Sequence, residues 1–149
     1  MKAHLKLQQW WNETSSGIST TTISAVQIQA LEQRYAVSLP DDFRAYLSAS
    51  SPVKDPLDDN VTCWWPFERI RNIPEEYEHE VSSPEIANHQ SQYLFFADYA
   101  IWCWAWAISC TNDENRGKVA LIGGLPDRFV AGSFSEFVER YISDFRSVC

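Results

Sequence analysis

The sequence predicts an α+β domain. Three observations carry that expectation: helix-start signals cluster in the first fifty residues, short apolar runs separated by turn residues fill 93–130, and one strongly amphipathic segment closes the chain. Helices, then strands, then a helix is the order of an α+β fold rather than of alternating βαβ units. A length of 149 residues is that of a single domain, and 45% apolar with 21% charged residues is the composition of an ordinary globular core and surface.

The elements follow in order. Residues 2–13 form a first helix with Leu5, Leu7, Trp10 and Trp11 as its apolar positions. Residues 14–22, rich in Ser, Thr and Gly, are a connector. Ser24 and Gln27 are spaced as a capping box, Ile23 and Ile28 occupy the flanking staple positions, and Ile28, Leu31 and Tyr35 continue at helical spacing. A third helix opens at Leu39-Pro40-Asp41-Asp42. Proline suits the first helical position, the two aspartates oppose the positive end of the helix dipole, and Phe43, Tyr46 and Leu47 form the buried stripe.

Residues 53–90 differ in character. They hold nine acids against three bases, six of the chain's eight net negative charges, together with Pro56, Pro66, Pro74 and Pro84. Loops, a short strand near 62–65 and one or two short helices are expected there. Beyond them, 93–96 is a strand, Ala97-Asp98-Tyr99 a turn, and 100–109 a second strand. Alternation along that strand puts Trp102, Trp104, Trp106 and Ile108 on one face and Ile101, Cys103, Ala105 and Ala107 on the other. A strand apolar on both faces belongs in the middle of a sheet. Val119–Ile122 and 128–130 are further strands, with Gly123-Gly124 as a turn. The last helix has Ser133 and Glu136 as a capping box, and Phe134, Phe137, Val138, Tyr141, Ile142 and Phe145 fall on one face.

Composition narrows the function classes. An acidic balance of 20 acids to 12 bases argues against a general phosphate-binding surface, hence against direct nucleic-acid binding. No apolar run has the length and purity of a membrane span, and the first residues lack the apolar core of a secretory signal. Cys63, Cys103, Cys110 and Cys149 are therefore expected as reduced thiols, in the cytosol. No nucleophile elbow, phosphate-binding glycine loop or zinc-ligand spacing is present, so no catalytic residue, metal or cofactor is assigned. Glu75 and His79 at i, i+4 fit a solvated helix face, and Cys103 and Cys63 fit small buried hydrophobes. The unusual aromatic content, seven Trp, eight Phe and six Tyr, fits a core. A Trp102–Trp104–Trp106 platform for a small ligand would need an open sheet face, which the terminal helix is expected to cover.

The segment Ile28–Leu47, I-Q-A-L-E-Q-R-Y-A-V-S-L-P-D-D-F-R-A-Y-L, resembles the signature of the SUKH superfamily in its Smi/Knr branch. The matching positions are Glu32, Val37, Leu39-Pro40, Asp41-Asp42, Phe43 and Leu47. Trp64-Trp65-Pro66-Phe67, Leu94–Trp106 and the Ser-Phe-x-x-Phe opening of the last helix resemble later parts of the same family, so the likeness runs from about residue 20 onward. Where the family often has an Asn-Gly-Gly-like turn after the third helix, this chain has Ser48-Ala49-Ser50-Ser51-Pro52.

The resemblance implies helices packed on a mostly antiparallel sheet. It also implies a non-enzymatic binding domain of the bacterial immunity type, which neutralises a cognate toxin, often a nuclease. Regulatory adaptors that bind a host protein are the alternative within the same resemblance. A nuclease cleft is basic because it must attract phosphate, so an acidic surface could occupy it and speed association by ~10–10³-fold through steering. The expected contact residues are Asp58, Asp59, Glu75, Glu76, Glu78 and Glu80, facing a basic protein partner.

Overall fold

The computed structural model describes residues 1–14 and 18–149; residues 15–17 of the Ser/Thr/Gly connector lie outside the described residues. The architecture is α+β. Helices α1 (Ala3–Thr14), α2 (Ala25–Tyr35) and α3 (Asp41–Ser50) come first. Strand β1 (Thr20–Thr21) lies between α1 and α2 and pairs antiparallel with β2 (Ser51–Pro52). The Ser51-Pro52 dipeptide is thus half of a small two-stranded sheet.

The main sheet has five antiparallel strands in the order of the chain: β3 (Thr62–Trp64), β4 (Tyr93–Tyr99), β5 (Trp104–Ser109), β6 (Val119–Ile122) and β7 (Arg128–Ala131). Between β3 and β4 lie two short helices, α4 (Ile73–Glu76) and α5 (Pro84–Ala87). The chain closes with α6 (Phe134–Ser143) and a 3₁₀ turn at Phe145–Val148.

The Ser24–Gln27 capping box forms as its spacing predicts, whereas the Ser133–Glu136 pair forms only the serine half of one. Gln27 N donates to Ser24 Oγ and Ser24 N to Gln27 Oε1, each at 3.2 Å, which satisfies two orphan donors at the start of α2. Glu136 N donates to Ser133 Oγ at 3.0 Å, while the Glu136 side chain reaches back to Gly132 N at 2.6 Å. Pro40 stands one position earlier than expected, as the N-cap of α3.

Glu32 explains why a glutamate precedes the Leu-Pro link. Its carboxylate accepts from Leu39 N at 2.8 Å and pairs with Arg44 at 2.6 Å, so one side chain fixes the α2–α3 corner. Asp42, in the first turn of α3, accepts from Ser135 N and Oγ at 2.9 Å each, tying the starts of α3 and α6 together.

Each sheet face has its own core. On one side Trp64, Leu94, Phe96, Trp106, Ile108 and Leu121 meet Trp11, Phe43, Tyr46, Phe134, Phe137 and Tyr141 from the helices. Trp106 packs edge-on against Phe137 and Tyr141, so the expected helical cover over this face is in place. On the other side Phe95, Tyr93, Ala105, Ala107, Ala120 and Ile122 are covered by Trp65, Ile73, Val81 and Ile86, all from the acidic segment. That segment is therefore the second layer of the domain. Strand β5 is the central strand, with its bulky face to the helices and its alanine face to this cover.

Three sequence expectations are corrected here. Ala97-Asp98-Tyr99 is not a turn: these residues pair with Trp64, Cys63 and Thr62 as the end of β4. The turn falls later, at 100–103, so Trp102 leaves the Trp104/Trp106 face and packs against the opposite core. Cys103 is not buried in a strand but exposed in that turn. Glu75 and His79 also do not share a helix, because α4 ends at Glu76.

Candidate protein-binding surface

The turn joining β4 to β5 is the most unusual local structure in the chain. Ala100, Ile101 and Trp102 have φ of 47°, 57° and 62°, a single left-handed turn closed by Cys103 N donating to Tyr99 O at 2.8 Å. L-residues pay ~1–2 kcal/mol each for this conformation, and β-branched isoleucine is among the least suited to it. Nor is the strain confined to this turn. Among the described residues, six of the seven non-glycine residues with positive φ lie in this turn and the neighbouring 54–61 loop: Lys54, Asp55, Val61, Ala100, Ile101 and Trp102. The two loops are joined by Ala100 N donating to Val61 O at 3.0 Å.

Buried acceptors hold the arrangement. Asp98, at the end of β4, accepts from Trp102 N at 3.0 Å through Oδ1 and from Trp65 Nε1 at 2.7 Å through Oδ2. Arg69 lies over the Trp65 ring at 4.1 Å, 3.1 Å from Asp55 and 3.7 Å from Asp98. The Trp102 ring stacks on Tyr77 at 5.7 Å and 12° and meets Phe95 edge-on at 5.4 Å. Gly123 permits that placement. Its φ is 90°, and a Cβ there would come within 3.3 Å of the Trp102 ring.

What the strained loops present is apolar. Ile101 is 92% exposed, Leu57 57% and Val61 47%. Leu57, Ile101 and Trp102 line a cleft with Cys63, Arg69 and Asp98. Trp102 also borders a second cleft formed with Glu76, Tyr77, Glu78 and His79, so an apolar knuckle and an acidic edge meet at one indole. Backbone strain held in place by buried polar groups, with no internal packing of the residue that bears it, is characteristic of functional positions.

The structure divides the six expected contact residues. Asp58 is not on the surface. It is 6% exposed, and its carboxylate accepts from Asn60 N at 2.8 Å, Thr62 N at 3.0 Å and Trp64 Nε1 at 2.9 Å, as well as from the Tyr141 hydroxyl. It organises the 58–62 loop and fastens it to α6. Burial outweighs these donors and pushes its pKa up from the ordinary carboxylate value.

Glu75 is exposed but engaged, accepting from Arg34 at 2.8 Å and from the Tyr35 hydroxyl at 2.7 Å. Burial, with that contact adding to it, raises the Tyr35 pKa to about 12. Glu76 is half-buried, with Arg71 3.9 Å away. Glu78 and Glu80 are exposed, and Asp59 is exposed at the tip of its loop. Only Glu76 and Glu78 of the six border the Trp102 cleft.

Sequence reasoning missed Ile101, Leu57 and Val61 as surface features and Asp98 and Arg69 as their supports. A left-handed turn without Gly or Asn carries no sequence signal, so an apolar run through it reads as strand. No three His, Cys, Asp or Glu side chains come together as a metal-holding group among the described residues, and no helix among them is long and apolar enough to cross a membrane.

Architecture and surface together define a small α+β domain with exposed apolar side chains beside an acidic edge. The chain belongs to the SMI1/KNR4 family (SUKH-1), whose family model matches residues 22–140, in agreement with the resemblance carried by Ile28–Leu47 and the later motifs. A comparison with curated proteins gave no match.

Proposed function

We propose that this chain acts as one non-enzymatic binding domain that neutralises a cognate bacterial toxin in the cytoplasm by direct contact, and that the toxin presents a basic, nuclease-type surface. The observation that carries the reading is the left-handed turn that holds Ile101 in solvent beside the acidic edge of Glu76 and Glu78. An exposed apolar anchor ringed by charge is the layout of a protein contact, with the anchor giving affinity and the rim giving register and speed. Family membership supports binding in general. Asp59, Glu76, Glu78 and Glu80 remain as the acidic contact residues. Asp58 is withdrawn because it is buried, and Glu75 because Arg34 and Tyr35 already hold it.

The test is a co-expression pull-down from the native host at about 50 mM and about 200 mM salt, where screening differs. The wild type is compared with Ile101→Asp and with a Glu76→Lys/Glu78→Lys/Glu80→Lys triple. A stoichiometric toxin captured by the wild type, lost with Ile101→Asp and made weaker and less salt-sensitive by the triple, supports the reading. A housekeeping protein in its place moves the domain to the adaptor class. A toxin retained by both variants refutes this face.

A further inference from the structure

We propose that the cleft edged by Tyr77, Trp102, Glu76 and Glu78 receives one arginine side chain of the partner. This rests on the binding reading above and specifies the chemistry of one contact. The cleft has a volume of about 430 Å³ and is lined by Glu76, Tyr77, Glu78, His79 and Trp102. Its aromatic edge is ordered: the Tyr77 and Trp102 rings stack on each other, 5.7 Å apart and parallel within 12°, and the His79 ring stands edge-on to Tyr77 at 5.3 Å. Ring faces carry negative quadrupole potential, and two carboxylates at the same opening add to it, so the preferred occupant is a cation.

A guanidinium fits better than an ammonium. It is planar, stacks on aromatic faces, engages carboxylates through two parallel N–H bonds, and gives up its hydration more readily. The chain's own cations leave the cleft free. Arg71 approaches Glu76 only to 3.9 Å and is not part of the lining, and Glu78 has no hydrogen-bond or ion-pair partner among the described residues.

The neighbouring cleft shows the same recognition satisfied from within. There Arg69 lies over an indole, that of Trp65, at 4.1 Å between Asp55 and Asp98. Trp102 borders both clefts, the one that holds Arg69 and the one edged by Glu76 and Glu78. The left-handed turn and the Asp98–Trp102 N bond are what deliver the ring to this position.

The test needs no partner. ¹⁵N-labelled full-length protein is titrated at constant ionic strength with Nα-acetyl-arginine methylamide, and the Trp102 indole N–H resonance is followed after sequential assignment checked by Trp102→Phe. A saturable shift at Trp102, with a dissociation constant on the order of 10 mM, is expected from one exposed stacked and ion-paired contact. The citrulline counterpart, uncharged and of the same shape, gives no saturable shift. The lysine counterpart and the Glu78→Gln variant each bind about 2- to 5-fold more weakly. No saturable shift at Trp102, equal binding of citrulline, or affinity unchanged by Glu78→Gln overturns the proposal. Such a failure leaves the toxin-binding reading standing, and a failed pull-down with a positive titration leaves an arginine receptor whose partner is of another class.

Discussion

Replacing Ile101 by glycine separates strain from packing, because the two make opposite predictions. In the left-handed region isoleucine costs ~1–2 kcal/mol relative to a residue that tolerates it. Ile101 is 92% exposed, so truncation forfeits almost no buried area. Glycine carries a penalty of ~0.4–1 kcal/mol through the greater freedom of the unfolded chain. The balance is a gain of about 1 kcal/mol, which for a chain of this length raises the melting temperature by about 2–4 °C. Ile101→Asn, a residue that accepts left-handed backbone, is expected to stabilise in the same sense while keeping a side chain. Thermal and urea unfolding of both variants read the effect. If both unfold at lower temperature than the wild type, Ile101 is packed or unstrained, and the argument for this turn fails. If the reasoning holds, Ile101→Gly is more stable than the wild type and yet loses partner capture, a combination that a purely structural role of Ile101 does not produce.

Other expectations concern the groups that support the face. Asp58→Asn turns an amide N–H₂ toward the Trp64 indole N–H or the Tyr141 hydroxyl and is expected to cost ~1–3 kcal/mol in urea unfolding. Burial raises the folded-state pKa of Asp58, so the folded protein holds that proton more tightly than the unfolded chain and the residue's contribution falls as pH rises through the folded value. The gap between wild type and Asp58→Asn should therefore narrow with rising pH, and a gap that widens contradicts the assignment. Asp98→Ala leaves the Trp65 indole N–H and the Trp102 amide without their acceptor and should cost about 2–4 kcal/mol, with loss of near-ultraviolet circular dichroism from the Tyr77–Trp102 stack. An unchanged spectrum would show that Asp98 does not hold the turn. Among the four thiols Cys103 is exposed, whereas burial pushes Cys110 up to about 12 and Cys63 up to about 11. A disulfide reagent should show one fast phase in the native protein, and that phase should vanish in Cys103→Ser.

Local signals reached the elements whose partners are near in sequence. Ser24 with Gln27, Ser133 Oγ with Glu136 N, and the stripe of Phe134, Phe137, Val138 and Tyr141 needed only neighbours within a turn or two, and the structure has them; Glu136 turns instead to Gly132 N, and Phe145 falls in the 3₁₀ turn beyond the helix. The two-faced apolar alternation of β5 placed it at the centre of the sheet, with Trp104 and Trp106 toward the helices. The same alternation fails at Trp102, two residues earlier, because Trp102 is the last of three left-handed residues with no glycine or asparagine to announce them.

The acidic segment fails differently. Asp58 and Asp59 are adjacent and alike in composition, yet Asp58 is drawn inward by the Trp64 indole and by the hydroxyl of Tyr141, 83 positions away. Glu75 and Glu78 are three residues apart, yet Arg34, 41 positions before Glu75, takes one and leaves the other without a partner among the described residues. The fate of each charge was set by long-range partners that periodicity cannot locate.

Those partners leave a small remainder. With Asp58 buried and Glu75 held by Arg34 and Tyr35, the acidic surface left for a partner contracts toward Trp102, where Glu76 and Glu78 border the cleft. Asp98 and Arg69 have internal work, but the side chain they help hold outward at the neighbouring turn, Ile101, has no packing role in the domain. A turn that glycine would relax at no loss of core, kept instead with an exposed isoleucine, fits the contact outside the chain proposed above.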